Sequence, residues 1–152
     1  MRGLQVAAAI AAVLASRPAV ADPSKQFVQA QAVFQSGQYQ QAAILFSGLL
    51  YPTSQLADPK EEIAAHLHLA VANFEIGQRD AARREFDAAI NLDSTLNISG
   101  YGFSKEATEF FETRKKELDE KARRIEERTR RARERQNLLT AVDRIRVFER
   151  KN

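Results

Sequence analysis

The sequence predicts an all-α protein, and three observations lead to this prediction. Glycine and proline together make up only ten of the 152 residues, a composition that favours helices over turn-rich β architecture. Small and aromatic residues recur at an offset of 40 residues, and the last third of the chain is a charged segment without glycine or proline. Length and composition fit one folded domain with a modest core.

Residues 1–21 are a predicted signal peptide. Arg2 precedes an apolar run over residues 4–15, and Ala19-Val20-Ala21 provides an A-x-A cleavage site before Asp22. The apolar run of twelve residues is shorter than the roughly 20 that span a bilayer. An uncleaved anchor and cleavage after Ala15 are the alternatives. We expect an exported, periplasmic or secreted bacterial protein, and not a lipoprotein, because the sequence has no cysteine.

Charge divides the remaining chain into two parts. Residues 22–103 hold five Lys or Arg against nine Asp or Glu, a net charge of −4, whereas residues 104–152 hold sixteen against eleven, a net charge of +5. This asymmetry indicates two regions with different roles. We therefore divide the chain into a repeat domain at 22–103 and a helical segment at 104–152.

The offset of 40 residues aligns two copies of one pattern. The matched pairs are Ala30 with Ala70, Phe34 with Phe74, Gly37 with Gly77, Ala42 with Ala82, Phe46 with Phe86, and Leu50 with Ile90. Alanine and phenylalanine four residues apart share a helix face, and each glycine can take the left-handed conformation that ends a helix. Each copy is thus a predicted helix hairpin, with helices at 24–36, 39–50, 59–76 and 79–92.

These copies resemble the tetratricopeptide repeat (TPR), in AQAVFQSGQYQQAAILFSGLL and AVANFEIGQRDAARREFDAAINLD. The resemblance implies two repeats, at about 24–50 and 60–94, separated by a loop over 51–59 that is lengthened by six residues. Asp58 is a predicted N-cap followed by Pro59 at the first helical position. The sequence departs from the family in lacking tryptophan, in placing Arg79 where the first copy has Tyr39, and in having Ser94 in place of proline.

The family binds peptides in a concave groove lined by the first helix of each repeat. The resemblance implies that this groove is lined here by Phe27, Gln31, Phe34, Gln35, Leu67, Val71, Phe74 and Glu75. The Lys and Asn clamp that some members use for a terminal carboxylate is absent. A mostly apolar groove suits an amphipathic helix or an extended peptide from another envelope protein; the alternative is that these residues only pack between helices.

Two hairpins need a covering element, because short repeat arrays bury little apolar area. The predicted cap is a helix that begins after Ser104 and carries an apolar face of Ala107, Phe110, Phe111 and Leu118. It continues into a long charged arm. Within residues 111–139 of this helix, apolar residues recur every seven positions: Phe111, Leu118, Ile125, Ala132 and Leu139. The companion positions are mostly polar, so three interpretations remain: a solvated extension, a weak or homo-oligomeric coiled coil, and folding back onto the repeats.

The arm is rich in arginine, but we do not expect nucleic-acid binding. Glu126, Glu127 and Glu134 interrupt the seven arginines between Arg123 and Arg135, and the run has no aromatic residue for base stacking. Six acidic residues lie four positions before a basic residue, a spacing that favours ion pairs along a helix. The pairs are Glu112–Lys116, Glu117–Lys121, Asp119–Arg123, Glu120–Arg124, Glu126–Arg130 and Glu127–Arg131. Binding to anionic lipid or polymer is a minor alternative.

No motif indicates catalysis, a metal or a cofactor. His66 and His68 stand two residues apart on a predicted helix, about 200° around it, so they cannot share one metal ion, and we expect one to be partly buried and the other exposed.

The function that we expect is a non-catalytic scaffold or adaptor of the cell envelope, binding a partner through the groove. The alternative is a structural or oligomerising protein that works through the arm.

Overall fold

The computed structural model describes residues 22–149, with side chains through residue 146. Over this range the chain is all-α and has no strand, which confirms the predicted fold class. The five helices are α1 (Pro23–Gln35), α2 (Tyr39–Leu50), α3 (Pro59–Glu75), α4 (Arg79–Leu92) and α5 (Lys105–Glu149). The predicted signal peptide, 1–21, lies outside the described residues.

The two hairpins turn at matching glycines. Gly37 has a φ of 78° and Gly77 a φ of 81°, a conformation that side chains strongly disfavour. The backbone N–H of Gly37 donates to Phe34 O at 2.9 Å and that of Gln38 to Val33 O at 3.3 Å. The same two bonds form around Gly77, which makes both turns Schellman caps. The prediction that glycine ends the first helix of each copy is therefore confirmed.

The departure from the repeat pattern at Arg79 has a structural explanation. In the first hairpin the rings of Phe34 and Tyr39 meet edge to face, with centroids 5.2 Å apart. In the second hairpin the Arg79 guanidinium lies 3.6 Å from the centroid of the Phe74 ring. A planar cation stacks on an aromatic face about as well as another ring does. Arginine thus replaces the aromatic residue without loss of the contact.

Caps at the helix starts explain why α1 and α3 begin where they do. The Asp58 carboxylate accepts from the Lys60 backbone N–H at 2.9 Å, and Pro59 is the first residue of α3. Asp22 accepts from the Ser24 N–H at 3.1 Å at the start of α1. Each cap satisfies a backbone donor that the helix itself leaves unpaired. The predicted Asp58 cap is confirmed.

Two apolar clusters form the core. The first joins the α1–α2 hairpin to α3 as far as Leu69, and Phe46 and Leu49 are fully buried within it. The second lies between α3, α4 and the first turns of α5, where Ala107 and Phe111 are fully buried and Phe110 and Leu118 pack at the edge. The start of α5 therefore caps the second hairpin, as predicted.

Candidate functional site

The structure buries the apolar part of the predicted groove. The exposed fractions are 0% for Leu67, 1% for Val71, and 6% for both Phe27 and Phe74. Gln31 and Phe34 are half-buried, and only Gln35 and Glu75 are exposed. A side chain without exposed area cannot contact a partner unless its covering residues move. In this conformation Leu67 and Val71 are core residues and line no open groove.

The chain's own loop packs in the same apolar cluster as Leu67, Val71 and Phe74, whereas Phe27 lies in the first cluster against Phe46. The loop runs from Asp93 to Ser104 and buries Leu96 and Ile98 in the second apolar cluster. Its Phe103 ring lies 5.8 Å from the ring of Phe34, and the Tyr101 ring stacks on Phe103 at 5.4 Å. We call this segment, 93–104, the covering loop.

Further contacts fix both ends of the covering loop. The Ser104 hydroxyl donates to the exposed groove residue Glu75 at 2.5 Å, and Lys115 Nζ donates to the Leu96 carbonyl at 2.7 Å. The Phe110 ring, at the start of α5, lies 5.2 Å from the groove residue Phe74. The interpretation that the apolar groove residues pack within the protein therefore describes the structure better than an open groove.

The expectation for the two histidines was wrong, because both are buried, with exposed fractions of 8% for His66 and 6% for His68. His68 is surrounded by rings, including Phe34 at 4.9 Å and Phe103 at 5.3 Å. Its Nδ1–H donates to the Ala64 carbonyl at 2.7 Å. Burial lowers the pKa of His68 below 6.5, and the Ala64 hydrogen bond only partly opposes this shift. His68 is thus a packing residue beneath the covering loop.

His66 belongs to a different cluster, which joins the first repeat to the second. Its Nδ1 lies 2.8 Å from Glu85 Oε2, and the Tyr51 hydroxyl lies 2.8 and 2.9 Å from the two oxygens of the same carboxylate. Desolvation, followed by the hydrogen bond to Glu85, raises the pKa of Tyr51 to about 12. The cluster satisfies a buried carboxylate. The described part of the chain contains no group of three or more candidate metal ligands.

The helix α5 has a fixed root and an exposed arm. At the root, Arg114 on α5 holds Asp87 on α4 through two hydrogen bonds of 2.6 and 2.7 Å. From residue 119 to residue 146 every side chain is exposed, over about 42 Å at 1.5 Å per residue. We call residues 119–149 the arm. The described residues of the arm do not fold back onto the repeats.

Ion pairs on the arm are fewer than the sequence suggested. Of the six predicted i,i+4 pairs, Glu120–Arg124 and Glu127–Arg131 are formed, and Asp143–Arg146 adds an i,i+3 pair. Exposed pairs of this kind contribute little each. The arm also exposes large apolar side chains, with exposed fractions from 44% to 68%: Ile125, Leu138, Leu139, Val142 and Ile145.

Comparisons with protein-family models, curated protein sequences and solved structures find no match for this chain. Among the helices of residues 22–149, none combines the length and the apolar character that crossing a membrane requires. The candidate surfaces therefore follow from geometry alone: a predicted groove whose apolar residues are mostly buried, and an exposed arm on a fixed root.

Proposed function

We propose that this chain is a non-catalytic interaction protein of the bacterial cell envelope, in which two TPR-like hairpins hold a projecting arm that contacts the partner. One observation carries the proposal: α5 is anchored through Leu118, and all its described side chains beyond that point are exposed. A helix whose root is packed and whose outer part touches nothing else in its own chain presents a surface to another molecule.

The exposed apolar residues of the arm support this choice of surface. Leu138, Leu139, Val142 and Ile145 lie within eight residues, and each is at least 44% exposed. Contiguous exposed apolar surface marks an interaction site more often than scattered apolar residues do. By contrast, the apolar residues of the groove already have partners. The arm, the second choice on sequence grounds, is therefore preferred to the groove.

The repeat resemblance and the signal peptide supply the rest of the proposal. Hairpins of the TPR type serve as adaptors in many proteins, so the resemblance supports a scaffold role for the base of the arm. The predicted signal peptide over residues 1–21 supports export to the envelope. The proposed partner is another envelope protein.

The experiment compares photo-crosslinking at two positions of the full chain in its native envelope. A crosslinking residue at Leu138 should capture a defined partner, whereas one at Arg83, which is exposed on α4, should capture none. A chain ending at Leu118 keeps the packed root and should lose that partner in pull-down, with unchanged helical unfolding of the hairpins. Partner capture that survives this truncation would contradict the arm as the binding element and favour the groove.

A further inference from the structure

One face of the arm carries a row of arginines that continues into a row of aliphatic residues. The spacing alternates between four and three residues along the arginines Arg124, Arg128, Arg131 and Arg135. Leu138, Val142 and Ile145 continue the same alternation without a break. Spacings of three and four keep side chains on one helix face, and this alternation is the heptad seam of helix pairing. We call these seven positions the arm seam.

The arginines of the arm seam are only partly neutralised. Arg124 pairs with Glu120 at 3.7 Å and Arg131 pairs with Glu127. No carboxylate within the described residues forms an ion pair with Arg128 or Arg135. All seven seam residues are exposed. The seam therefore presents cationic side chains in its first part and apolar side chains in its last part.

We propose that the arm seam binds a partner helix that places carboxylates opposite the arginines and aliphatic side chains opposite Leu138, Val142 and Ile145. Guanidinium groups bind carboxylates through paired hydrogen bonds, and aliphatic residues at heptad positions pack against each other across helix pairs. This inference rests on the proposed role of the arm and adds the chemistry of its partner.

A second copy of the chain fits the seam poorly. Parallel, in-register pairing would set each arginine against the same arginine, which is repulsive. Antiparallel pairing through the aliphatic part alone would overlap only from Leu138 to Ile145, about 11 Å of helix at 1.5 Å per residue. That length offers three seam residues per chain, whereas stable coiled coils use several heptads. The occupant that the seam favours is thus a different helix with an acidic part.

An anionic membrane surface also fits less well than a helix. Glu120 and Glu127 flank the arginines, as their ion pairs show. A flat anionic surface would repel these acidic groups, whereas a partner helix can place basic residues opposite them at its own flanking heptad positions. Helices that lie on membranes usually have a wide apolar face, and here the apolar part of the face is short.

The test uses the full chain and synthetic helical peptides as probes. One peptide carries glutamates at the heptad positions facing the arginines and leucines at those facing the aliphatic part, in a parallel and in a reversed version. The control peptide has lysines in place of the glutamates. By fluorescence anisotropy, one glutamate peptide should bind at least about tenfold more tightly than the lysine peptide at low salt, and this preference should shrink as salt is raised.

Charge reversal of the seam provides the decisive comparison. The double variant R128E/R135E should lose about tenfold in affinity for the glutamate peptide and gain affinity for the lysine peptide. The matched double variant R123E/R130E makes the same change in charge on a different face of the helix and should keep the preference for glutamate. Circular dichroism confirms that both variants remain helical.

Three results would overturn the proposal. One is equal binding of the glutamate and lysine peptides; the second is equal loss in the two double variants. The third is failure of the glutamate peptide to bind, combined with a different interaction that depends on the seam. That interaction would be either binding of phosphatidylglycerol vesicles or self-association at the assay concentration, and R128E/R135E would abolish it. If the peptides fail but truncation after Leu118 still removes the envelope partner, the arm remains the binding element and only the partner chemistry is wrong.

Discussion

Asp87 on α4 and Arg114 on α5 form a two-pronged ion pair, with Nε to Oδ1 at 2.6 Å and Nη2 to Oδ2 at 2.7 Å. Both side chains are mostly buried, with exposed fractions of 27% and 21%. Arg114 also binds Glu117 at 2.8 Å. The carboxylates of Asp87 and Glu117 raise the pKa of Arg114 above its usual value. The pair lies close to the point where the packed root of α5 gives way to the arm, and it joins α5 to α4 there.

Removing one of the two hydrogen bonds between Asp87 and Arg114 should destabilise the packing of α5 on α4. Asp87→Asn keeps the size of the side chain but removes its charge, and we expect a loss of about 1 kcal/mol in the free energy of unfolding. Arg114→Lys keeps the charge but loses the planar fork, and should also destabilise. Urea unfolding measures both changes. Asp143→Asn, at an exposed pair on the arm, is the control and should have no measurable effect.

The two turn glycines should be far less tolerant than a helical glycine. Gly37→Val and Gly77→Val should each cost about 1 to 3 kcal/mol, because a β-branched residue is strained at positive φ. The cost is conformational, since an added Cβ meets no atom within 4 Å at either position. Gly48→Ala, within α2 and equally unobstructed, should instead be neutral or stabilising. Equal effects at all three positions in thermal unfolding would contradict this account.

The free energy of unfolding should decrease as pH falls below 6.5, because burial disfavours the protonated form of His68 in the folded protein. Its pKa in the folded protein lies below the value of 6.5, so the unfolded chain binds the proton first as pH falls. Neutral His68 therefore makes its full contribution to the free energy of unfolding above pH 6.5. This contribution is lost as pH falls from 6.5 to the lower pKa that His68 has in the folded protein. Urea midpoints measured between about pH 7.5 and 5.5 should decline in the native protein and decline less in His68→Phe.

The covering loop should depend on its aromatic contacts. Phe103→Ala removes the ring that touches Phe34 and His68, and we expect a loss of about 1 to 3 kcal/mol. The variant should also expose the apolar residues beneath the loop, which raises the fluorescence of a bound hydrophobic dye. Leu92→Ala, at a position that is 50% exposed, serves as the control. No change in stability or dye binding would mean that the loop does not hold the groove closed.

Local signals in the sequence predicted the hairpins well. Each helix boundary lies within about one residue of the prediction, because the signals are short-range: glycine at positive φ ends α1 and α3, and Asp58 with Pro59 begins α3. The cap was predictable for a similar reason. Ala107 and Phe111 are four residues apart, like Ala70 and Phe74, and two hairpins leave an apolar face that requires cover.

The surfaces were harder to predict because they depend on long-range packing. A run of apolar residues in the covering loop could have indicated that it packs on the core, although the sequence does not show which face they cover: Leu96, Ile98, Tyr101 and Phe103. That loop packs with Leu67, Val71 and Phe74 of the predicted groove, and its rings complete the aromatic surroundings of His68. The arm seam escaped a search for apolar heptads, because arginine occupies its first four positions.

Amide hydrogen exchange along α5 tests the central claim most directly. In the monomer, exchange should be slow from Ala107 through about Leu118, where α5 packs on the second hairpin, and progressively faster through the arm, where little apolar area is buried. The measurement is made at a concentration where sedimentation shows a monomer. Full protection from Ile125 to Leu139 under that condition would mean that the arm packs onto the repeats, and the account of an exposed binding arm would fail.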